Sequence, residues 1–147
     1  MALAYLELER VNPAWDTVAV DADSILVFDT IVASEGLGIQ FQYDINTGII
    51  TFLEAGYYYV DWYVAPQSGF TTDGSNWAVQ TAISGVSFVC SSHSKVAATT
   101  GFALVNAEAG ETARLVNVSD GVLILSQAVK SKAGLVVYEL ATMFYAP

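Results

Sequence analysis

From one end to the other the chain reads as short extended runs cut by tight turns, and this punctuation limits its folds more than any other feature. Apolar or alternating stretches fall at residues 4–9, 17–20, 24–32, 38–43, 49–53, 57–65, 77–83, 87–91, 101–107, 112–118, 122–126 and 134–141. Val, Ile, Thr, Tyr and Phe fill them, as suits a pleated surface. The breaks are Asn46-Thr47-Gly48, Glu54-Ala55-Gly56, Asp73-Gly74-Ser75, Ala109-Gly110-Glu111 and Asp120-Gly121. These residue types tolerate the positive φ that tight turns demand. Strands recurring about every 8–14 residues predict an antiparallel two-sheet sandwich or jelly roll. No stretch sustains a capped helical period, and Gly110 makes a turn of the Ala- and Glu-containing residues 105–114.

The 147 residues are the size of one domain, expected to span 1–147, with neither linker nor repeat nor low-complexity tract. Residues 1–12 are expected as an N-terminal strand or a stalk junction; residues 67–76 form the longest polar loop. Five basic against 15 acidic residues give a net charge of −10, which argues against nucleic acid or an anionic membrane surface as partner. Hydrophobic residues reach 54% and charged residues only 14%. That excludes disorder and exceeds what a small monomer should expose, pointing to a large buried self-interface. No apolar run is long enough for a membrane-spanning helix. The N-terminus lacks the basic and apolar regions of a signal peptide, so export would need a signal outside this chain or another route. One cysteine, Cys90, and one histidine, His93, exclude an internal disulfide framework, a multi-cysteine zinc site and a histidine-rich metal centre.

Residues 57–65 are the most informative strand. Tyr58, Val60, Trp62 and Val64 share one face, the natural core side; Tyr57, Tyr59, Asp61 and Tyr63 share the other. The second set is apolar with polar tips, which fits a half-exposed strand or a surface covered by a partner or a glycan. Residues 49–53 are apolar on both faces except at Thr51, and residues 122–125 and 135–137 are apolar on both faces too. A strand buried on both sides of a two-layer sandwich needs a third layer, and a neighbouring subunit is the economical one.

The run from Tyr43 to Tyr58 resembles the C1q/tumour-necrosis-factor jelly-roll family, C1q-like branch: an aromatic, Asp44-Ile45-Asn46-Thr47-Gly48, an apolar strand, then Gly56-Tyr57-Tyr58 opening an aromatic strand. Ile25-Leu26-Val27-Phe28-Asp29 upstream, Gly101-Phe102-Ala103-Leu104 with Gly110-Glu111 downstream, and Gly134-Leu135-Val136-Val137 near the end fit the same pattern. Ile50 and Val60 stand where the family prefers Phe, and Glu111 where it prefers Asp. Leu115-Val116-Asn117-Val118-Ser119 and the closing apolar strand are most similar to the heads of bacterial collagen-like exosporium and surface glycoproteins. The resemblance implies a jelly roll of about ten strands, a homotrimer, a collagen-like stalk or surface protein as attachment partner, and an extracellular, spore-surface or cell-surface location. Three copies would bury the doubly apolar strands 49–53, 101–107 and 134–141 on the axis, which puts Ile49, Thr51, Leu53, Leu135 and Val137 at the trimer interface.

Chemistry-bearing residues are few. Cys90 and His93 are three apart, so on a strand they face opposite ways, and no nucleophile elbow or phosphate-binding loop is present. Asp21 and Asp23 share one face of an extended segment and could give oxygen ligands to calcium. Phe70, Asn76 and Trp77 are the candidate ligand contacts, suited to a sugar. Asn117-Val118-Ser119 matches a glycosylation sequon but is expected to serve packing. The expected function is a non-enzymatic, trimeric surface head that recognises a ligand and has no cofactor beyond that calcium. The alternatives are the receptor-binding tip of a phage or secretion-system fibre, and a small hydrolase.

Overall fold

The computed structural model describes residues 3–11 and 16–142. Of the N-terminal segment 1–12, residues 1, 2 and 12 lie outside the described residues, as do the last five residues of the domain expected over 1–147. Thirteen strands follow in chain order: β1 Tyr5–Arg10, β2 Ala19–Val20, β3 Thr30–Glu35, β4 Phe41–Asp44, β5 Ile49–Phe52, β6 Gly56–Val64, β7 Pro66–Gly69, β8 Ser75–Thr81, β9 Ser87–Ser92, β10 Thr99–Ala107, β11 Thr112–Asn117, β12 Leu123–Leu125 and β13 Ala133–Thr142. The first sheet runs β10-β6-β13-β1-β3, the second β4-β5-β11-β8-β9, and a small third sheet β2-β12-β7. Every ladder is antiparallel. Among the described residues no helix is long and apolar enough to cross a membrane.

The two large sheets meet through alternate residues. Tyr58, Val60, Trp62 and Val64 of β6 are buried against Phe41, Phe52, Trp77 and Leu115 of the second sheet. Tyr58 links the layers: its ring lies 5.5 Å from Phe41 and 4.6 Å from Phe52, and its hydroxyl donates to the Glu54 carbonyl at 2.8 Å. Edge-on and tilted rings at these spacings add to the gain from burial. The turn from β4 to β5 explains its own sequence: the Asn46 N–H donates to the Asp44 carboxylate at 2.8 Å, and Gly48 has φ +79°. A Cβ at Gly48 would also stand 2.9 Å from Ile25.

Three expectations change here. Leu135 and Val137 are 3% and 0% exposed and lie in the chain's own core. Both faces of β13 are apolar, so sequence leaves its register open. Pairing settles it, setting Leu135 opposite Trp62 and Val137 opposite Val60. Neither residue can reach a partner subunit. Trp77 is also fully buried, its indole N–H donating to Ser75 Oγ at 2.9 Å, so it is no ligand contact. Ile49 and Thr51 face away from the buried Ile50 and Phe52 on the outer side of the second sheet, and Leu53 follows the strand, half-buried. They cannot share an axis with β10 and β13, which belong to the first sheet.

The third sheet was not foreseen. Two of its strands are two and three residues long, and the third opens on Pro66, a residue confined to strand starts and edges. Asn117 fastens it: fully buried, it donates to the carbonyls of Val20 at 2.8 Å and Gly121 at 3.0 Å and accepts from the Ser119 N–H. The sequon residue is a packing residue.

Leu135→Ala should lower unfolding stability by about 2–5 kcal/mol, the usual cost of emptying a core site. Denaturant titration reads the loss, while the mass of the folded species stays unchanged.

Candidate functional site

The first sheet has a second face, and the strand registers give its composition row by row. Across β1, β13, β6 and β10, one row is Glu9, Gly134, Tyr63, Thr100 and the next is Glu7, Val136, Asp61, Phe102. A third row is Tyr5, Tyr138, Tyr59, Leu104. Leu140, beside the bulge of β13, extends it. Phe102 is 60% and Leu104 51% exposed, and Tyr5, Tyr138 and Leu140 are exposed as well. The rings are preassembled: Tyr59 stacks on Phe102 with centroids 6.0 Å apart and planes 9° from parallel, and lies 5.2 Å from Tyr138. Desolvation, with the negative charge of Asp61 and the neighbouring Tyr138, raises the Tyr59 hydroxyl pKa above its ordinary 10.0. A contiguous aromatic and aliphatic surface of this kind marks an interaction site.

The sequence signal for this face was present in β10. Gly101, Ala103, Val105 and Ala107 point inward, while Phe102 and Leu104 point out. The small residues are inside because the Trp62 ring occupies that space: a Cβ on Gly101 would come within 2.3 Å of it.

Strand ends define the molecule's two poles. Tyr5, Gly56, Ala107 and Thr142 come together at one end of the first sheet; Arg10, Val64, Thr99 and Ala133 come together at the other. The second pole carries residues 70–74, 93–98, 118–122 and 126–132 in its loops. There Asp120 accepts from the Thr72 N–H at 2.8 Å and from the Thr72 hydroxyl, and Lys95 Nζ lies 3.4 Å from the Thr71 carbonyl. Phe70, 77% exposed, and Val96, 62% exposed, stand out from these loops. Asn76, half-buried, donates to the Asp73 carbonyl at 3.0 Å and accepts from the Ser91 hydroxyl, which commits its side chain to holding the loop. The structure thus separates the three candidate ligand contacts: Phe70 exposed, Asn76 engaged, Trp77 in the core.

The other candidates resolve individually. Asp21 and Asp23 are both exposed, in a turn where the Ser24 N–H donates to the Asp21 carbonyl at 3.1 Å and Asp23 has φ +62°. Among the described residues no three His, Cys, Asp or Glu side chains gather to share a metal ion. Cys90 is half-buried against the core and His93 is exposed beyond the end of β9.

Two carboxyls at the first pole respond to their surroundings in opposite ways. Glu111 is 1% exposed, and its oxygens accept from the N–H groups of Ala82, Ile83, Ser84 and Thr112 at 2.8–2.9 Å. Burial alone would raise its pKa; the hydrogen bonds outweigh it and hold the carboxyl below 4.5. Glu139 is raised above 4.5 by burial and by the charge of Glu54.

The globular domain of zebrafish complement 1qA is similar to this chain with a TM-score of 0.67 at 14% identity, over 95% of this chain and 98% of that one. Murine APRIL is similar with a TM-score of 0.67 at 13% identity, over 95% and 100%. The Eiger TNF of S. frugiperda gives 0.66 at 15% identity, over 100% and 98%. No family model and no curated protein sequence matches. The fold is therefore the C1q/TNF jelly roll, the class expected from sequence, carried by a sequence far from those neighbours.

Glu111→Gln should cost about 1.5–3 kcal/mol at neutral pH, the range for hydrogen bonds to a charged group. The lowered pKa fixes the sign. The Glu111 contribution is full above 4.5, its ordinary value, and is lost as pH falls through the lower folded value. Urea unfolding across that range should show the wild type losing this contribution and the variant lacking it throughout. Parallel pH profiles would contradict the assignment.

Proposed function

We propose that the chain is a non-enzymatic recognition head that assembles as a homotrimer through the outer face of its first sheet. One observation carries the reading: Tyr5, Tyr59, Phe102, Leu104, Tyr138 and Leu140 form a continuous apolar face that the chain leaves uncovered. Fully burying one such side chain contributes about 1.5–3 kcal/mol, so a handful of them favours association strongly. The C1q and TNF-type neighbours support self-association through the shared fold.

A second surface, at the sandwich edge, suits a ring. Between β9 and β10 the sandwich opens into a cavity of about 340 Å³ lined by Val86, Phe88 and Val105 with Thr81, Ser84 and Asn106. A face on one copy meeting a different edge on the next is a heterologous contact, and a rotation of one third of a turn per contact closes it into a ring of three. With the axis along the strands, all first poles lie at one end of the assembly and all loop poles at the other. β1 starts at the first pole, so a stalk or surface protein joined on the N-terminal side would hold the head there and present the loops.

Ligand recognition then falls to the loop pole, where Phe70 is the most exposed large apolar side chain; a glycan is the ligand class that an exposed aromatic ring favours. An extracellular, cell-surface or spore-surface location fits the sequence resemblance to bacterial surface heads and the net charge of −10 on each copy, which keeps a displayed assembly from sticking to acidic surfaces. Calcium at Asp21 and Asp23 remains a proposal of the same kind, to be read by repeating the measurements with chelator.

Paired substitutions test the face. Tyr138→Glu should turn trimer into monomer in sedimentation velocity, whereas Leu53→Asp, on the other sheet, should leave the trimer intact. Equal sedimentation of wild type and Tyr138→Glu as folded trimers would overturn the assignment. Separately, Phe70→Ala should leave mass and stability within about 0.5 kcal/mol of wild type and abolish binding to any glycan captured on an array.

A further inference from the structure

The assembly face is not uniformly apolar. Its two rows nearest the loop pole carry Glu9, Glu7 and Asp61, and these line a cavity of about 230 Å³ with Tyr63, Thr100, Gly134 and Val136. Gly134 keeps the cavity open and leaves room for the Tyr63 ring, which a Cβ there would strike at 2.5 Å. If the face is covered by a second copy, three carboxylates are covered with it. Removing charges from water costs several kcal/mol each unless a partner of opposite sign comes with the covering surface. The covering surface must therefore bring a cation.

The chain has five cations to choose from. Arg10 is engaged by Asp29 at 3.7 Å and by the Val27 carbonyl at 2.9 Å. Lys132 is fully buried, donating to the carbonyls of Ser126 at 2.6 Å and Val129 at 3.2 Å. Arg114 lies half-buried on β11 of the other sheet. Lys95 and Lys130 are exposed on loop-pole segments; the Lys95 ammonium donates one long hydrogen bond, 3.4 Å, to the Thr71 carbonyl and has further N–H donors to offer a second partner. Rotation about an axis leaves height unchanged, so a residue meets its neighbour's residues at its own level. Lys95 stands in the loop entering β10, just before Thr100, which belongs to the Glu9 row. It also stands at the sheet edge, because β10 is the outermost strand; Lys130 follows β12 and precedes β13, an interior strand.

We infer that the acidic cavity on the first sheet is the receptacle for the Lys95 ammonium of the next copy, an intersubunit charge latch that fixes register and direction around the ring. The inference rests on the trimer reading and names the contact that reading leaves unspecified. The apolar rows supply attraction in any register; the latch selects one, because a slipped or reversed contact leaves carboxylates covered without a cation.

Zero-length carbodiimide cross-linking of an equal mixture of ¹⁴N and ¹⁵N protein, unfolded together and refolded so that trimers assemble from one pool, tests it on the unaltered chain. The expected product joins Lys95 to Glu7, Glu9 or Asp61 and carries one label of each kind in half of its copies, which marks it as intersubunit. Lys95→Glu should weaken assembly by about tenfold or more on dilution, and Asp61→Lys in the same chain should restore it. A trimer that gives no such cross-link and dilutes like its Lys95→Glu variant overturns the latch and leaves the trimer standing. A cross-link to Lys130 instead, or a trimer that falls apart in chelator without any lysine cross-link, also overturns it. A protein that stays monomeric at all concentrations overturns the trimer reading itself.

Discussion

A sheet that carries apolar side chains on both faces, in a chain that covers only one of them, is the constraint around which this structure is arranged. In this protein that sheet is β10-β6-β13-β1-β3. Its inner face packs Val60, Trp62, Leu135 and Val137 against the second sheet, and its outer face lines up Tyr5, Tyr59, Tyr138 and Leu104. Most other features follow from this doubling. Trp62 fills the inside of the layer so fully that β10 has no room for a side chain at Gly101. The bulk of β10 is thereby displaced outward into Phe102 and Leu104, which enlarge the uncovered face.

The two ends of the sandwich then take different duties. One gathers the start of β1 and the end of β13 and is stiffened by Glu111, whose carboxylate gathers four backbone N–H groups that a turn would otherwise leave to water. The other is wrapped by the small third sheet and by loops pinned through Asn117, Asp120 and Asn76. On the proposed reading, the first pole is the base and the loops at the far end are what the head presents. Several carboxylates, Asp44, Glu111 and Asp120 among them, are spent on turns and packing.

Much of this was legible in the residues, for physical reasons that also mark where legibility ended. The alternation in β6 assigned Tyr58, Val60, Trp62 and Val64 to the core because polar tips on the opposite side broke the symmetry. In β13 nothing broke it: Leu135, Val136, Val137 and Tyr138 read alike on both sides, and only pairing with β6 chose the inner set. That is why Leu135 and Val137 were placed on the wrong face. Trp77 beside a polar loop suggested a contact residue, yet the strand begins at Ser75 and carries the indole straight into the core. The acidic rows were beyond reach for another reason. Glu9, Glu7 and Asp61 are brought together by strands more than fifty residues apart in sequence, joined through β13, and no local pattern announces that neighbourhood.

The claim at the centre is that the outer face of the first sheet is a subunit interface. Light scattering on the unaltered chain through a dilution series addresses it most directly. The account predicts a mass of about 47 kDa, three times the 15.7 kDa chain, that persists on dilution and falls to a species without stable tertiary structure when it finally dissociates. A folded, stable 15.7 kDa monomer at every concentration would contradict it.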